Sequence, residues 1–142
     1  MPLSKQEKAR LLAGVDLFKA MGPRALSTIA GMATEADFAS GRYIARQGDP
    51  GSGVFVIASG RARVVRGDEI IASLGPGEYV GELSVLDRAP RVASVVAEEP
   101  TVCLAIAAWD FMELLERNPK MMRAVLLEVV ARLRAVVEHI RH

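Results

Sequence analysis

The chain has 142 residues, a formal net charge of +1, and 51% hydrophobic and 25% charged residues. This composition is typical of one folded domain and excludes a low-complexity segment. The single cysteine, Cys103, excludes a disulfide scaffold, and the balanced charge gives no overall field for nucleic acid or an anionic membrane.

Residues 1–33 are predicted to be helical. Ser4 and Glu7 have the spacing of a capping box at the start of the first helix. Pro23 is expected to open a second, short helix, because proline suits the first helical position. Between them, four apolar residues recur at helical intervals: Leu11, Leu12, Val15 and Phe18.

Residues 34–107 change to a strand pattern. Short apolar runs alternate with turns rich in glycine, proline and aspartate, which is typical of an antiparallel sandwich or barrel. Gly67 and Asp68 form the clearest hairpin turn, because this pair suits a two-residue turn of the primed type. Cys103 lies within an apolar run and is expected to be a small buried hydrophobic residue.

Residues 108–142 are predicted to form two further helices. The first extends from Trp109 to Arg117, and Asn118-Pro119 ends it and starts the second. The last helix reaches about residue 140, and we expect its first turns to pack on the domain. Its more distal apolar residues predict pairing with a second copy in a homodimer. The apolar seam consists of Met122, Leu126, Val129, Leu133, Val136 and Ile140.

The predicted fold is therefore mainly β with flanking helices: a single domain, residues 1–142, built on an antiparallel, jelly-roll-like β-roll. N-terminal helices precede the roll and a long C-terminal helix follows it. The longest apolar run, Val102 to Trp109, is far short of the ~20 residues that a membrane-spanning helix needs. Because the N-terminus also lacks an apolar signal stretch, we expect a cytoplasmic protein without a membrane segment in this chain.

Histidine, which many metal sites and catalytic pairs use, is missing from the centre of the sequence, and no feature marks two of the carboxylates as an acid/base pair. The two histidines, His139 and His142, lie at the C-terminal end, which argues against a histidine-based metal site or a Ser-His or Cys-His pair. Residues 34–107 contain no histidine, which disfavours a cupin-like enzyme on a similar roll. We therefore expect no catalytic activity and no metal.

Residues 80–95 contain the densest functional signal. Gly81 allows a ligand to approach the backbone, and a short helix starting at Glu82 presents its first amide groups to an anion. Pro90 closes a turn that returns Arg91 toward the same point, where its guanidinium suits a phosphate. The carboxylate of Glu82 suits a sugar hydroxyl.

This stretch resembles the phosphate-binding cassette of cyclic nucleotide-binding domains. That superfamily includes the sensor half of the catabolite activator protein, the regulatory subunit of protein kinase A and cyclic-nucleotide-gated channels. A second pattern upstream, from Ile44 to Gly60, is similar to the same family. The cassette residues that agree with the family pattern are Gly81, Glu82, Ser84, Val85, Arg91 and Ala93.

The resemblance implies a cyclic nucleotide receptor. It implies that Arg91 binds the cyclic phosphate and Glu82 the ribose 2′-hydroxyl, with backbone amides completing the phosphate cradle. Val92 offers no hydroxyl, and in this family such an absence favours cAMP over cGMP. The implied ligand-binding residues are Gly81, Glu82, Leu83, Ser84, Arg91, Val92 and Ala93.

We therefore expect a regulatory module in signal transduction that binds cAMP, needs no other cofactor and repositions its C-terminal helix. Two alternatives remain open: a sensor that prefers cGMP, and an interaction or dimerisation module that keeps the fold without the ligand. The sequence ends at His142 without a helix-turn-helix, so direct DNA binding is not expected. The sequence does not identify a downstream effector.

Overall fold

The computed structural model describes residues 2–141, apart from the side chains of residues 83 and 141. Two helices come first, α1 at Lys5–Ala13 and α2 at Pro23–Met32. Ser4 caps α1 in the predicted capping box, and Pro23 begins α2 as predicted. α1 ends earlier than its apolar spacing predicted: Val15 and Phe18 are fully buried, but they lie in successive turns after the helix.

Eight strands form two four-stranded antiparallel sheets. The first sheet has the order β1-β8-β3-β6 and the second β2-β7-β4-β5, and all described neighbours pair antiparallel. This arrangement confirms the predicted antiparallel β-roll. The strands are β1 Thr34–Phe38, β2 Tyr43–Ala45, β3 Gly53–Ser59, β4 Ala62–Arg66, β5 Glu69–Leu74, β6 Tyr79–Val80, β7 Ser94–Ala97 and β8 Thr101–Ala107.

The first sheet separates two hydrophobic cores, because successive side chains of a strand point to opposite faces. Ile57 and Cys103 face the second sheet and pack with residues of that sheet such as Ala62. Val56 and Leu104, their neighbours on the same strands, join the core on the helical side. Burial of Cys103 confirms the sequence prediction, and the turn between β4 and β5 is at residues 67–68, as predicted.

Three helices complete the chain: α3 at Glu82–Asp87, α4 at Ala108–Arg117 and α5 at Pro119–Arg141. The 23 residues of α5 extend for ~34 Å at 1.5 Å per residue. Met121 and Val125 are buried in the helical core, so the first turns of α5 pack on the domain as predicted. Within residues 2–141, no helix is both long enough and apolar enough to cross a membrane.

Candidate functional site

A cavity of about 460 Å³ lies between the second sheet, α3 and α5. Small-molecule sites typically have volumes of about 300–1,000 Å³. Much of the wall is aliphatic and comes from strands of the second sheet, including Val64, Ile71 and Val95. Three charged side chains line the cavity: Glu82, Arg91 and Arg132.

The sequence-predicted residues converge on this cavity. Leu83 belongs to α3, but its side chain lies outside the described part of the structure. Val92 and Ala93 follow Arg91 along the wall, and Val92 is largely exposed. The predicted residues that line the cavity are Gly81, Glu82, Ser84, Arg91, Val92 and Ala93.

Gly81 is the N-cap of α3 and has a φ of 104°, a conformation that side-chain-bearing residues rarely adopt. A Cβ atom at this position would collide with the carbonyl oxygen of Gly53 and lie 3.0 Å from Nη1 of Arg91. The first helical amide with an acceptor is that of Val85, which donates to the Gly81 carbonyl over 3.3 Å. The earlier amides of α3 therefore have no intrahelical acceptor.

Arg91 is held in the cavity wall by its own backbone. Its amide donates to the carbonyl of Asp49 over 2.9 Å, and its carbonyl accepts from the amide of Gly48 over 2.8 Å. These bonds join the upstream sequence pattern to the cassette. The side chain is only 7% exposed, and its Nη2 donates to the carbonyl of Gly53 over 3.2 Å.

Burial lowers the pKa of the Arg91 guanidinium, while the nearby carboxylates of Asp49 and Glu82 raise it. A guanidinium nevertheless stays protonated in proteins, because its ordinary pKa is above 12. Arg91 therefore presents a positive charge within a largely buried environment. Such a charge is less screened by salt than one at the surface.

Glu82 is 5% exposed, and its two carboxylate oxygens differ in their hydrogen bonding. Its Oε1 accepts a hydrogen bond of 2.6 Å from Nη1 of Arg132, on α5. Its Oε2 is buried and has no hydrogen-bond partner among the described residues. A buried acceptor without a partner is unusual in a folded protein, and a ligand hydroxyl would satisfy it.

The sequence analysis did not find Arg132 or Tyr79. Arg132 lines the cavity from α5. The buried Tyr79 hydroxyl, like Glu82 Oε2, has no hydrogen-bond partner in the part of the chain that the structure describes. No local pattern identifies Arg132, because it lies 50 residues from Glu82 along the chain. Tyr79 lies in the short strand β6 just before the cassette and gives no stronger signal.

Three other features of the described structure are weaker candidates for a functional site: metal-ligating side chains, the Cys103 thiol and a second groove. Within residues 2–141 there is no group of three or more His, Cys, Asp or Glu side chains that could hold a metal ion. Burial raises the pKa of the Cys103 thiol to about 12, so it is protonated at neutral pH. A larger groove of about 720 Å³ between α3 and α4 includes Ser84 and Trp109 but neither Glu82 nor Arg91.

Comparison with known proteins identifies relatives of this chain. It is 37% identical over 111 residues to the cyclic AMP receptor protein of Thermus thermophilus, covering 75% of this chain and 51% of that protein. It is 34% identical over 111 residues to a cGMP-dependent protein kinase of Toxoplasma gondii, covering 78% of this chain and 11% of the kinase. The chain thus spans about half the length of the first relative and about a tenth of the second.

Solved structures show the same fold. The crystal structure of the Thermus thermophilus catabolite activator protein superposes with a TM-score of 0.82 at 32% identity, covering 89% of this chain and 62% of that one. The family model described as the cyclic nucleotide-binding domain matches residues 35–118, which is more than half of the sequence. The chain therefore belongs to the cyclic nucleotide-binding domain family.

Proposed function

We propose that this domain is a cAMP-sensing regulatory module. Arg91 binds the cyclic phosphate, and Glu82 accepts a hydrogen bond from the ribose 2′-hydroxyl through its free Oε2. The first amides of α3, at Glu82, Leu83 and Ser84, complete the phosphate cradle. The observation that carries the proposal is the presence of Arg91 and Glu82, both largely buried, in the wall of one mostly aliphatic cavity.

The charge of the cavity supports a cyclic phosphodiester. The guanidiniums of Arg91 and Arg132 and the carboxylate of Glu82 leave one excess positive charge. A cyclic phosphodiester carries one negative charge, whereas a phosphate monoester carries about −1.5 to −2 at neutral pH. We therefore expect cAMP to bind more tightly than 5′-AMP.

The base is expected to lie against the aliphatic wall formed by Val64, Ile71 and Val95. Val92 lines the cavity without a hydroxyl, which supports a preference for cAMP. A preference for cGMP is the second candidate. The two relatives described above are named for a cyclic AMP receptor and a cGMP-dependent kinase, so similarity alone does not choose between the two nucleotides.

The polar groups of the cavity suit holding an anion and a hydroxyl, so we propose that the domain acts by binding without catalysis. We expect α5 to have two arrangements against the β-roll, and the ligand to bind one of them more tightly. Ligand binding would then shift the population toward that arrangement, and this shift is the signal. A cytoplasmic location and the lack of direct DNA binding stay predictions.

We also propose a homodimer that pairs through α5. Residues 131–140 of α5 are all exposed, yet they carry apolar side chains at helical spacing. A continuous apolar stripe of this kind favours burial against a partner helix. The exposed apolar residues of α5 are Met122, Leu126, Leu127, Val130, Leu133, Val136, Val137 and Ile140.

Calorimetric titration of the purified chain with cAMP, cGMP and 5′-AMP tests the ligand. We expect cAMP to bind most tightly and Arg91→Ala to lose at least about tenfold in affinity, because one charge-assisted hydrogen bond contributes about 1.5–3 kcal/mol. Arg91→Lys should also lose affinity, because lysine cannot form the planar fork. Arg134→Ala, on the exposed part of α5, is the matched control.

Three results would contradict the ligand proposal. Unchanged affinity in Arg91→Ala would exclude the assigned phosphate contact. Tighter binding of cGMP would establish the second candidate. A folded wild-type chain that binds neither cyclic nucleotide would support the interaction module that keeps the fold without a ligand.

Sedimentation velocity tests the dimer. Leu133→Glu places a charge in the apolar stripe and should shift the protein toward the monomer. Arg134→Glu introduces the same side chain at the adjacent exposed position and should leave the sedimentation coefficient unchanged. A wild-type chain that is monomeric at high concentration would contradict the homodimer.

A further inference from the structure

We propose that the outer face of the second sheet docks an acidic segment of a partner protein. This surface, the arginine face, is defined by Arg46, Arg61 and Arg63. It lies on the opposite side of the second sheet from the ligand cavity, and none of the three arginines lines that cavity. The inference therefore goes beyond the proposed function and does not depend on cAMP binding.

The direction of the neighbouring side chains places two of these arginines on the outer face. Ala62 and Val64 of β4 point inward, because Ala62 is fully buried in the core between the sheets and Val64 lines the ligand cavity. Successive side chains of an extended chain point to opposite faces. Arg61 and Arg63, on either side of Ala62, therefore point away from the core.

One row of paired residues crosses the outer face on all four strands. Arg63 pairs with Ser73 of β5 on one side and with Val96 of β7 on the other, and Val96 pairs with Tyr43 of β2. At about 4.8 Å between strands, this row is about 14 Å wide. Arg46 adjoins the row, because its guanidinium lies 4.1 Å from the centre of the Tyr43 ring. The arginines thus belong to one continuous surface.

Neutral groups hold two of the three guanidiniums in place. Arg46 lies over the Tyr43 ring, and Nη2 of Arg61 donates to the hydroxyl of Ser73 over 2.9 Å. No ion pair within residues 2–141 involves Arg46, Arg61 or Arg63. Side chains that are already ordered lose less conformational entropy on binding. The arginine face is therefore partly ordered while its positive charge is still available to a partner.

Positive charge exceeds negative charge on this face. Glu98 lies beside Arg61, because its amide donates to the Arg61 carbonyl over 2.9 Å. Three guanidiniums against this carboxylate leave an excess of two positive charges. Asp68 and Glu69 lie at the turn between β4 and β5, so the positive surface does not continue along the hairpin. A short acidic segment complements a patch of this size and charge.

The composition of the face favours a protein as the source of the negative charge. Residues 34–107 contain arginine but no lysine, and Tyr43 beside Arg46 is 45% exposed. Arginine and tyrosine are enriched at protein interfaces, whereas lysine is depleted, and a guanidinium matches a carboxylate with two parallel hydrogen bonds. A nucleic acid presents a long row of phosphates, for which an excess of two charges is a small complement.

Fluorescence anisotropy of a short labelled poly-L-glutamate peptide tests the inference on the full chain. The triple variant Arg46→Glu, Arg61→Glu and Arg63→Glu should lose at least about tenfold in affinity, because it removes charge-assisted hydrogen bonds to carboxylates. The same variant should bind poly-L-lysine more tightly than the wild type does. Its affinity for cAMP should not change, because the three side chains lie outside the ligand cavity.

A matched control separates the arginine face from the net charge of the chain. The variant Arg10→Glu, Arg24→Glu and Arg123→Glu makes the same change of charge at three exposed helical arginines. At physiological ionic strength, charges more than about 8 Å apart are largely screened, so this control should lose much less affinity for polyglutamate. If the charge reversal on the face lowers the melting temperature, glutamine at the same three positions should still weaken polyglutamate binding.

Three results would overturn the inference. A wild-type chain that does not bind polyglutamate would exclude a face that docks carboxylates. Equal losses in the face variant and the matched control would show that only the net charge matters. Tighter binding of a single-stranded oligonucleotide or of phosphatidylserine vesicles, lost in the face variant, would assign the face to a nucleic acid or a membrane. The proposed cAMP binding is measured separately and stands or falls without these results.

Discussion

Replacing Gly81 by alanine tests how closely Gly81, the Gly53 carbonyl and the Arg91 guanidinium approach one another at the site. The new Cβ would collide with the Gly53 carbonyl and lie 3.0 Å from Nη1 of Arg91. The substitution therefore has two costs, one from the positive φ and one from the contact. Gly77→Ala is a matched control, because Gly77 has a φ of 88° and nothing within 4 Å of an added Cβ.

The difference between the two variants isolates the cost of the contact. Each should lose about 1–2 kcal/mol of unfolding free energy from the left-handed backbone. Gly81→Ala should lose about 1–3 kcal/mol more, because backbone and a buried guanidinium must shift to admit the methyl group. For a domain of this size the additional loss lowers the melting temperature by about 3–10 °C.

Urea denaturation of the ligand-free variants measures the difference, and calorimetry with cAMP measures its consequence for the site. We expect Gly77→Ala to bind cAMP as the wild type does, and Gly81→Ala to bind more weakly because Arg91 is displaced. Equal stability of the two variants, together with wild-type affinity in Gly81→Ala, would refute the close approach of Gly81, Gly53 and Arg91.

Two further predictions concern a half-buried carboxylate, Glu128, and the buried hydroxyl of Tyr79. Burial raises the pKa of the Glu128 carboxyl, the positive charge of Arg132 opposes this rise, and the negative charge of Asp16 adds a smaller rise. The ionised form of Glu128 is therefore less stable in the folded protein than in the unfolded chain. Glu128→Gln should therefore raise the melting temperature at pH 7 but not below about pH 4, where the carboxyl is protonated in both states; an equal gain at pH 3.5 would contradict this cause. Tyr79→Phe removes a buried hydroxyl that has no hydrogen-bond partner among the described residues. Urea denaturation should therefore show an unfolding free energy that is unchanged or raised by about 1 kcal/mol. A clear loss of unfolding free energy would show that the hydroxyl forms a hydrogen bond.

The features that could be predicted from the sequence depend on neighbouring residues. Ser4 and Glu7 form their capping box within one helical turn, and Pro23 starts α2 by its own fixed φ. The prediction that α1 continues through Val15 and Phe18 was wrong, because apolar spacing does not distinguish a helix from successive turns that bury the same side chains. Val15 and Phe18 are buried in either case, and Gly14 ends the helix before them.

In the candidate site, too, the residues that lie close together in the sequence could be predicted, whereas the long-range contacts could not. Gly81, Glu82 and Arg91 lie within eleven consecutive residues, so a pattern in the sequence was enough to group them. The contacts that position their side chains come from distant parts of the chain. The Gly53 carbonyl that accepts from Arg91 is 38 residues away, and Arg132 is 50 residues from Glu82. Such contacts depend on how β3 and α5 pack, which no short pattern encodes.

A crystal structure of the chain grown with saturating cAMP tests the central claim most directly. We expect the cyclic phosphate to accept charge-assisted hydrogen bonds of about 2.7–2.9 Å from the Arg91 guanidinium, and the ribose 2′-hydroxyl to donate to Oε2 of Glu82. An empty cavity, or cAMP bound with its phosphate away from Arg91, would contradict the account.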